Sequence, residues 1–216
     1  MGNYNKWNKH EITDENADIF VVLFVSRNKD NKHITDFVER RKAFVTSRTA
    51  NELRSSFNAF VKEGKPGEFS RMYYSVNTRC NNKTQKALLH KLIDENYNMS
   101  TLPQRVAALA AKKENAKYTK NLKWLFDFDP IENKDIHKEV VNFKNDIKHF
   151  HATTKTKKDK IKQPITIETY KTPNGYAVIV DQRFDTRELL KKWKNVELKR
   201  DDLYCVYSKY NEPESK

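Results

Sequence analysis

The stretch KWLFDFDP, residues 123–130, sets two carboxylates, Asp127 and Asp129, one residue apart in an otherwise apolar run. Side chains on a β-strand alternate between faces, so Trp124, Phe126 and Phe128 point one way and Leu125, Asp127 and Asp129 the other. Two like charges that share a face beside aromatic residues repel each other and lose solvation. A cation or other positive group between them removes that cost. Mg²⁺ or Mn²⁺ is the expected counter-charge, because hard divalent ions take carboxylate oxygens and use them to hold nucleotide phosphates. The competing reading is a strand end whose acids are solvated or paired with lysine.

The rest of the chain has to position those acids. With 216 residues it is long enough for one domain with a sizeable core, or for a core domain with an appended lobe. Lys and Arg number 42 against 29 Asp and Glu, a formal charge of +13. Such an excess points to a polyanionic partner, nucleic acid first, since each phosphate neutralised releases counterions. Ten Tyr and 12 Phe add aromatic surface for a core and for base stacking. Cys80 and Cys205 form no CxxC pair, which argues against a disulfide scaffold or cysteine-rich zinc site and fits a reducing cytosol. No apolar run reaches the roughly 20 residues of a membrane span. The N-terminal MGNYNKWNK lacks a signal peptide's apolar core, and Lys6 breaks the myristoylation pattern. The expected location is the cytoplasm, whether the cell is the protein's own or a virus's host.

Hydrophobic patterning gives the element order. In the N-terminal half, IFVVLFVSR (19–27) reads as a buried strand and DFVERRKAFVT (36–46) as a weaker one. Thr49 and Glu52 form a capping box before the apolar helical face of Leu53, Phe57, Phe60 and Val61. RMYYSVNTR (71–79) is a further strand, followed by a helix through Leu88, Leu89, Leu92 and Ile93 and another over 103–117. The C-terminal half runs strand (121–129), helix (135–150), basic loop (155–162), strand (164–170), TPNG turn (172–175), strand (176–181), helix (186–193) and a last strand LYCVY (203–207). In TPNG, Pro fixes φ and Asn-Gly suits left-handed backbone.

The order βαββαβ predicts an α/β, or α+β, chain built on a ferredoxin-like, RRM-like antiparallel sheet. Its first and third strands lie at the centre, and one face is left open for a ligand. The expected organisation is an N-terminal α/β lobe over 1–118 packed on a unit over 119–210, with a tail at 211–216, the whole forming one compact domain.

Two functional readings follow. NGYAVIVD partly matches the third-strand signature of RNA recognition modules through Gly175, Tyr176 and Ala177. Asn174 stands in place of the basic residue, however, and Val178 and Val180 in place of stacking aromatics. A non-catalytic binding module of this kind explains the charge but leaves two aspartates facing a phosphate backbone. The second reading accounts for the acids. An apolar strand ending in D-x-D, a Gly-containing hairpin and a later hydrophobic-acid motif together resemble the archaeo-eukaryotic primase superfamily. That superfamily includes primase small subunits, primase-polymerases and the polymerase domains of bacterial end-joining ligases.

WLFDFDP looks like the first motif of that superfamily, which implies that Asp127 and Asp129 are catalytic metal ligands; Pro130 is similar to the end-joining branch. TPNGYAVIV falls where the second motif lies. VELKRDDLYCVY (196–207) supplies the third through Glu197, with Asp202 or Asp201 as alternatives. The resemblance implies nucleotidyl transfer from nucleoside triphosphates on DNA or RNA, with Mg²⁺ or Mn²⁺ held by carboxylates to activate a 3′-hydroxyl and stabilise the pyrophosphate leaving group. It also makes the hairpin around Gly175 and Tyr176 the nucleotide-binding element. Lys171 and Arg79 are candidate phosphate contacts, against the alternative of ordinary exposed cations. One position departs from the pattern: the second motif's phosphate-binding His is Ala177 here. An Ala side chain donates no hydrogen bond, so weak activity or none is expected.

A metal-dependent nuclease would use the same carboxylates and is the remaining alternative. His137, His149 and His151 read as surface residues of a basic helix, and His151-Ala152-Thr153 is a single HxT where two-histidine phosphoesterases need two. There is no Walker A loop, HExxH, GxSxG or zinc pattern. Lysine-rich segments at 112–123, 155–162 and 191–200 are compatible with a nucleic-acid groove.

Overall fold

A computed structural model describes residues 18–94, 98–118, 122–132, 134–153 and 163–212; the N-terminal stretch, the basic loop 155–162 and the end of the tail, 213–216, lie outside the described residues. The architecture is mixed α/β, with two antiparallel sheets and helices packed on them. The first sheet takes β1 (Asp18–Ser26), β2 (Arg40–Thr46), β3 (Phe69–Ser75), β4 (Arg79–Cys80) and β9 (Leu203–Tyr210) in the order β2-β1-β3-β9, with β4 pairing β1. The second takes β5 (Trp124–Phe128), β6 (Ile167–Lys171), β7 (Tyr176–Val180) and β8 (Val196–Arg200) in the order β6-β7-β5-β8. β5 and β7 are therefore its central pair, antiparallel and in register from Trp124↔Val180 to Phe128↔Tyr176.

Alternation decides the faces of the second sheet. Phe126 and Phe128 of β5, Val178 and Val180 of β7 and Val196 of β8 are buried with Val140, Phe143 and Ile147 of α4 (Ile136–Thr153) and Leu189 of α5 (Arg187–Lys192). On the opposite face Leu125, Ala177 and Ile179 are buried with Val76, against Tyr204 of β9. That face was expected to be open; the first sheet covers part of it.

The first sheet carries α1 (Arg54–Lys62) on one face through Phe57, Phe60 and Val61, packed on Val22, Phe24 and Met72. The Thr49–Glu52 capping box is present: Glu52 accepts from the Thr49 backbone N–H at 2.7 Å, and Thr49 Oγ1 from that of Glu52 at 3.4 Å. The other face takes α3 (Leu102–Ala111), whose Ala107 and Ala110 lie on Val21. Small residues there let the helix approach the strand closely. α2 (Asn81–Asp94) differs from its expected packing, because Leu89, Leu92 and Ile93 are exposed. Among the described residues no helix is long and apolar enough to cross a membrane.

Two element assignments change. LYCVY does not close the second sheet: β9 pairs with β3, from Phe69↔Tyr210 to Ser75↔Leu203, and β8 takes the expected edge place beside β5. In VELKR, Val196 and Leu198 alternate with Glu197 and Lys199, the pattern of a half-buried strand with few apolar residues. The TPNG turn also closes without left-handed backbone, since among the described residues positive φ occurs at Asp36, Arg200 and Gly67. Gly175 is required for space instead: a Cβ there would overlap the carbonyl oxygen of Phe128.

Candidate active site

β5, β7 and β8 bring the motif positions into one transverse row. Asp127 is opposite Ala177 on one side and Glu197 on the other. Asp129 continues the same face just past the strand. Its backbone is held by two contacts with Asn195, whose carbonyl accepts from the Asp129 N–H at 3.0 Å and whose amide donates to the Asp129 carbonyl at 2.6 Å. The row opens into a cavity of about 360 Å³ between the two sheets. Thr172 and Asn174 of the β6–β7 loop line it as well, and a Thr172 N–H to Gly175 carbonyl bond of 2.9 Å closes that loop.

The opposite wall is basic. Arg27, Lys29 and Arg71 line the cavity beside Tyr73 and Cys205. Arg27 Nε donates to one oxygen of Asp30 at 2.8 Å and Arg71 Nη2 to the other at 2.7 Å, so a single carboxylate fixes two guanidinium groups. The turn carrying Arg27 and Asp30 is braced by the fully buried Asn31. The Asn31 amide donates to the carbonyls of Arg27 and Phe69 at 3.0 Å, and its oxygen accepts from the Phe69 N–H at 2.6 Å. Burial outweighs the pull of Arg71 and Arg27 on Cys205 and pushes its thiol up to about 11, so it stays protonated at neutral pH.

Lys199 stands on the acidic wall. Its ammonium lies 2.6 Å from Asp127 Oδ2 and 3.7 Å from Glu197 Oε2. Burial pulls its pKa down, but the Asp127 hydrogen bond and the charges of Asp127, Glu197 and Asp202 outweigh that and raise it. Burial, then the charges of Asp127 and Glu197, raise the Asp129 carboxyl above the usual aspartate range, while Lys199 and Lys29 oppose the rise.

The donor set of Asp127, Asp129 and Glu197 consists of hard carboxylate oxygens alone, a chemistry that suits Mg²⁺ or Mn²⁺. Among the described residues, however, no three His, Cys, Asp or Glu side chains are gathered closely enough to form a ready ligand cluster. Asp127 is instead engaged by Lys199.

Of the other residues singled out in the sequence, Ala177 is buried in the row but lines the cavity. Tyr176 turns to the helix side, where its hydroxyl meets His137 Nδ1 at 2.7 Å. Gly175 sits against Phe128, and Lys171 lines a neighbouring groove between the hairpin and β9, not the cavity itself. Arg79 cannot serve as a phosphate contact. It is 1 % exposed and makes a bidentate pair with Asp201 at 2.9 and 2.8 Å. Asp201 is thereby removed as a ligand, and Asp202, next to it, caps the start of β9 through the Leu203 N–H at 2.7 Å. His137 and His149 are exposed, but His151 is buried, with its Nε2 3.1 Å from Gln182 Oε1. Its side chain falls on the inner face of α4 with Ile147.

The residues that sequence reasoning passed over are Lys199, Arg27, Lys29 and Arg71. Each is one cation among 42, and no local pattern separates it from the rest. Compared with known proteins, the chain matches no family model, no curated protein and no solved structure.

Proposed function

We propose that the chain is a nucleotidyltransferase of primase-polymerase type with weak catalysis, its cleft taking a nucleoside triphosphate and the end of a DNA or RNA strand. The strand order β6-β7-β5-β8, with α4 and α5 on one face, supports reading the second sheet as a ferredoxin-like, RRM-like unit. The observation that carries the function is the pairing of walls. Asp127, Glu197 and Asp129 face Arg27, Lys29 and Arg71 across one cavity. A bare polyanion suits only the basic wall and a bare cation only the acidic one. A triphosphate carrying a divalent ion suits both.

Asp127, Asp129 and Glu197 are the residues to hold that ion, which when bound supplies charge neutralisation at the phosphates and a more acidic 3′-hydroxyl. Arg27 and Arg71, fixed by Asp30, orient phosphate oxygens from the other side. Ala177 offers no donor at the position where the superfamily has a histidine, and weak turnover follows. The Lys199–Asp127 contact and the buried Ala177 also favour a second reading, a non-catalytic nucleic-acid-binding module.

Equilibrium binding of labelled ATP separates the two. Affinity that needs Mn²⁺, disappears with chelator and drops at least about tenfold in Asp127→Asn, the loss of one charge-assisted contact, supports the nucleotidyltransferase. Nucleic-acid binding indifferent to chelator and to Asp127→Asn, with no ATP binding, supports the module.

A further inference from the structure

Among the described residues lining the cleft, Lys199 occupies a position that competes with the proposed chemistry. It follows Glu197 by two residues on β8, at the irregularity where the pairing with β5 shifts between Leu125 and Phe126, and its side chain reaches the Asp127 side of the sheet. The ammonium is bonded to Asp127 at 2.6 Å and lies within ion-pair distance of Glu197 at 3.7 Å. It thus takes up the two carboxylates that the register places opposite each other. The contact is neither sealed nor fully solvated, since the side chains of Lys199 and Asp127 are 29 % and 35 % exposed. A lysine has four rotatable bonds and a compact charge, so it can leave without disturbing the strand. The same cavity holds Ala177, on the other side of Asp127, where a phosphate donor is missing.

We propose that Lys199 is an internal counter-cation that must give way before Asp127 and Glu197 can hold a divalent ion, and that the displaced ammonium then serves as the phosphate donor that Ala177 cannot be. The proposal rests on reading the acids as metal ligands. It makes Lys199 a positioning residue before metal and nucleotide bind and a substrate contact afterwards. Without metal it screens the repulsion among Asp127, Asp129 and Glu197. With metal and nucleotide bound, it neutralises charge on the phosphates instead.

Two binding measurements on the full chain test this: Mn²⁺ alone, followed by electron paramagnetic resonance, and ATP at saturating Mn²⁺, followed by calorimetry. Lys199→Met keeps the apolar stem and removes the charge, and Lys199→Arg keeps the charge. Lys199→Met is expected to bind Mn²⁺ about fivefold more tightly than the unmodified chain, the scale of a partly screened ion pair. It should bind ATP roughly tenfold more weakly, the scale of a charged hydrogen bond. Lys199→Arg should stay near the unmodified chain in Mn²⁺ affinity. A Lys199→Met protein that binds Mn²⁺ no more tightly, or ATP no more weakly, overturns the proposal. If Mn²⁺ binding in the unmodified chain is nonetheless abolished by Asp127→Asn, the metal-site reading survives that result. Absence of Mn²⁺ binding in every protein removes both.

Discussion

Asp127 meets Ala177 on one side and Glu197 on the other, and Asp129 follows on the same face, so the acids' charge is balanced by Lys199 and by Lys29 across the cleft. Asp129 bears the cost of this arrangement. Its carboxyl ionises less readily in the folded chain than in the unfolded one, because of its partial desolvation at the cavity wall and the neighbouring charges of Asp127 and Glu197. A raised folded pKa means that Asp129 contributes stability only at low pH, and that this contribution is lost as pH rises through its folded value. Asp129→Asn should therefore stabilise the fold at pH 7 by about a few tenths of a kcal/mol, the scale for a largely solvated group, and raise the melting temperature slightly. The gain should largely disappear near pH 3, below the unperturbed aspartate value of about 3.9. Thermal denaturation at the two pH values checks it, and equal shifts at both would show that electrostatic strain is not the cause. A binding site held together at a cost to stability is expected where negative charge is needed for a ligand.

At the scale of elements, the alternation in WLFDF placed Asp127 on the face opposite Phe126 and Phe128, and the βαββ order placed β7 beside β5. These were legible because period-2 patterning and turn chemistry are local. The identity of the edge strand was not. LYCVY is the more apolar segment, but its partner is β3, more than a hundred residues away in sequence, and VELKR is the strand that stays with β5. Local pattern carries no information about which of two sheets a strand joins. Glycine 175 illustrates a related limit: N-G suggested a conformational role, while its actual role depends on the neighbouring strand. Gly175→Ala should cost about 2 kcal/mol or more, because the added Cβ meets the backbone of β5 and no flexible side chain can yield. Chemical denaturation measures this. A cost below about 0.5 kcal/mol, the range of ordinary surface substitutions, would mean that the hairpin does not approach β5 as described.

At the scale of the molecule, the two sheets are joined by the chain itself, which passes from β8 to β9 through Asp201 and Asp202. The buried Arg79–Asp201 pair locks that passage, and Asn77 adds a bond to Asp201 at 3.0 Å. Arg79 was singled out for its charge and its place at a strand end, and the sequence gives no sign that its partner lies 122 positions on. The basic wall was similarly hidden, because Arg27 and Arg71 meet only when β1 pairs with β3. The net charge of +13 acts on this scale too. Binding to single-stranded DNA should weaken at least about tenfold between 50 and 200 mM salt, already the loss for two or three neutralised phosphates. Fluorescence anisotropy across that range reads it, and a flat response would remove nucleic acid as the partner of the basic surface.

The central claim is tested most directly by incorporation of labelled nucleotides on a primed template with Mn²⁺. The proteins to compare are the unmodified chain, Ala177→His, and Asp127→Asn in the Ala177→His background. Weak incorporation by the unmodified chain is expected, raised at least about tenfold by the restored donor even if overpacking beside Leu125 and Ile179 costs about 1–3 kcal/mol of stability. It should return to background when Asp127→Asn is added. Background incorporation by all three folded proteins, with equal and metal-independent binding of nucleic acid, would contradict the account.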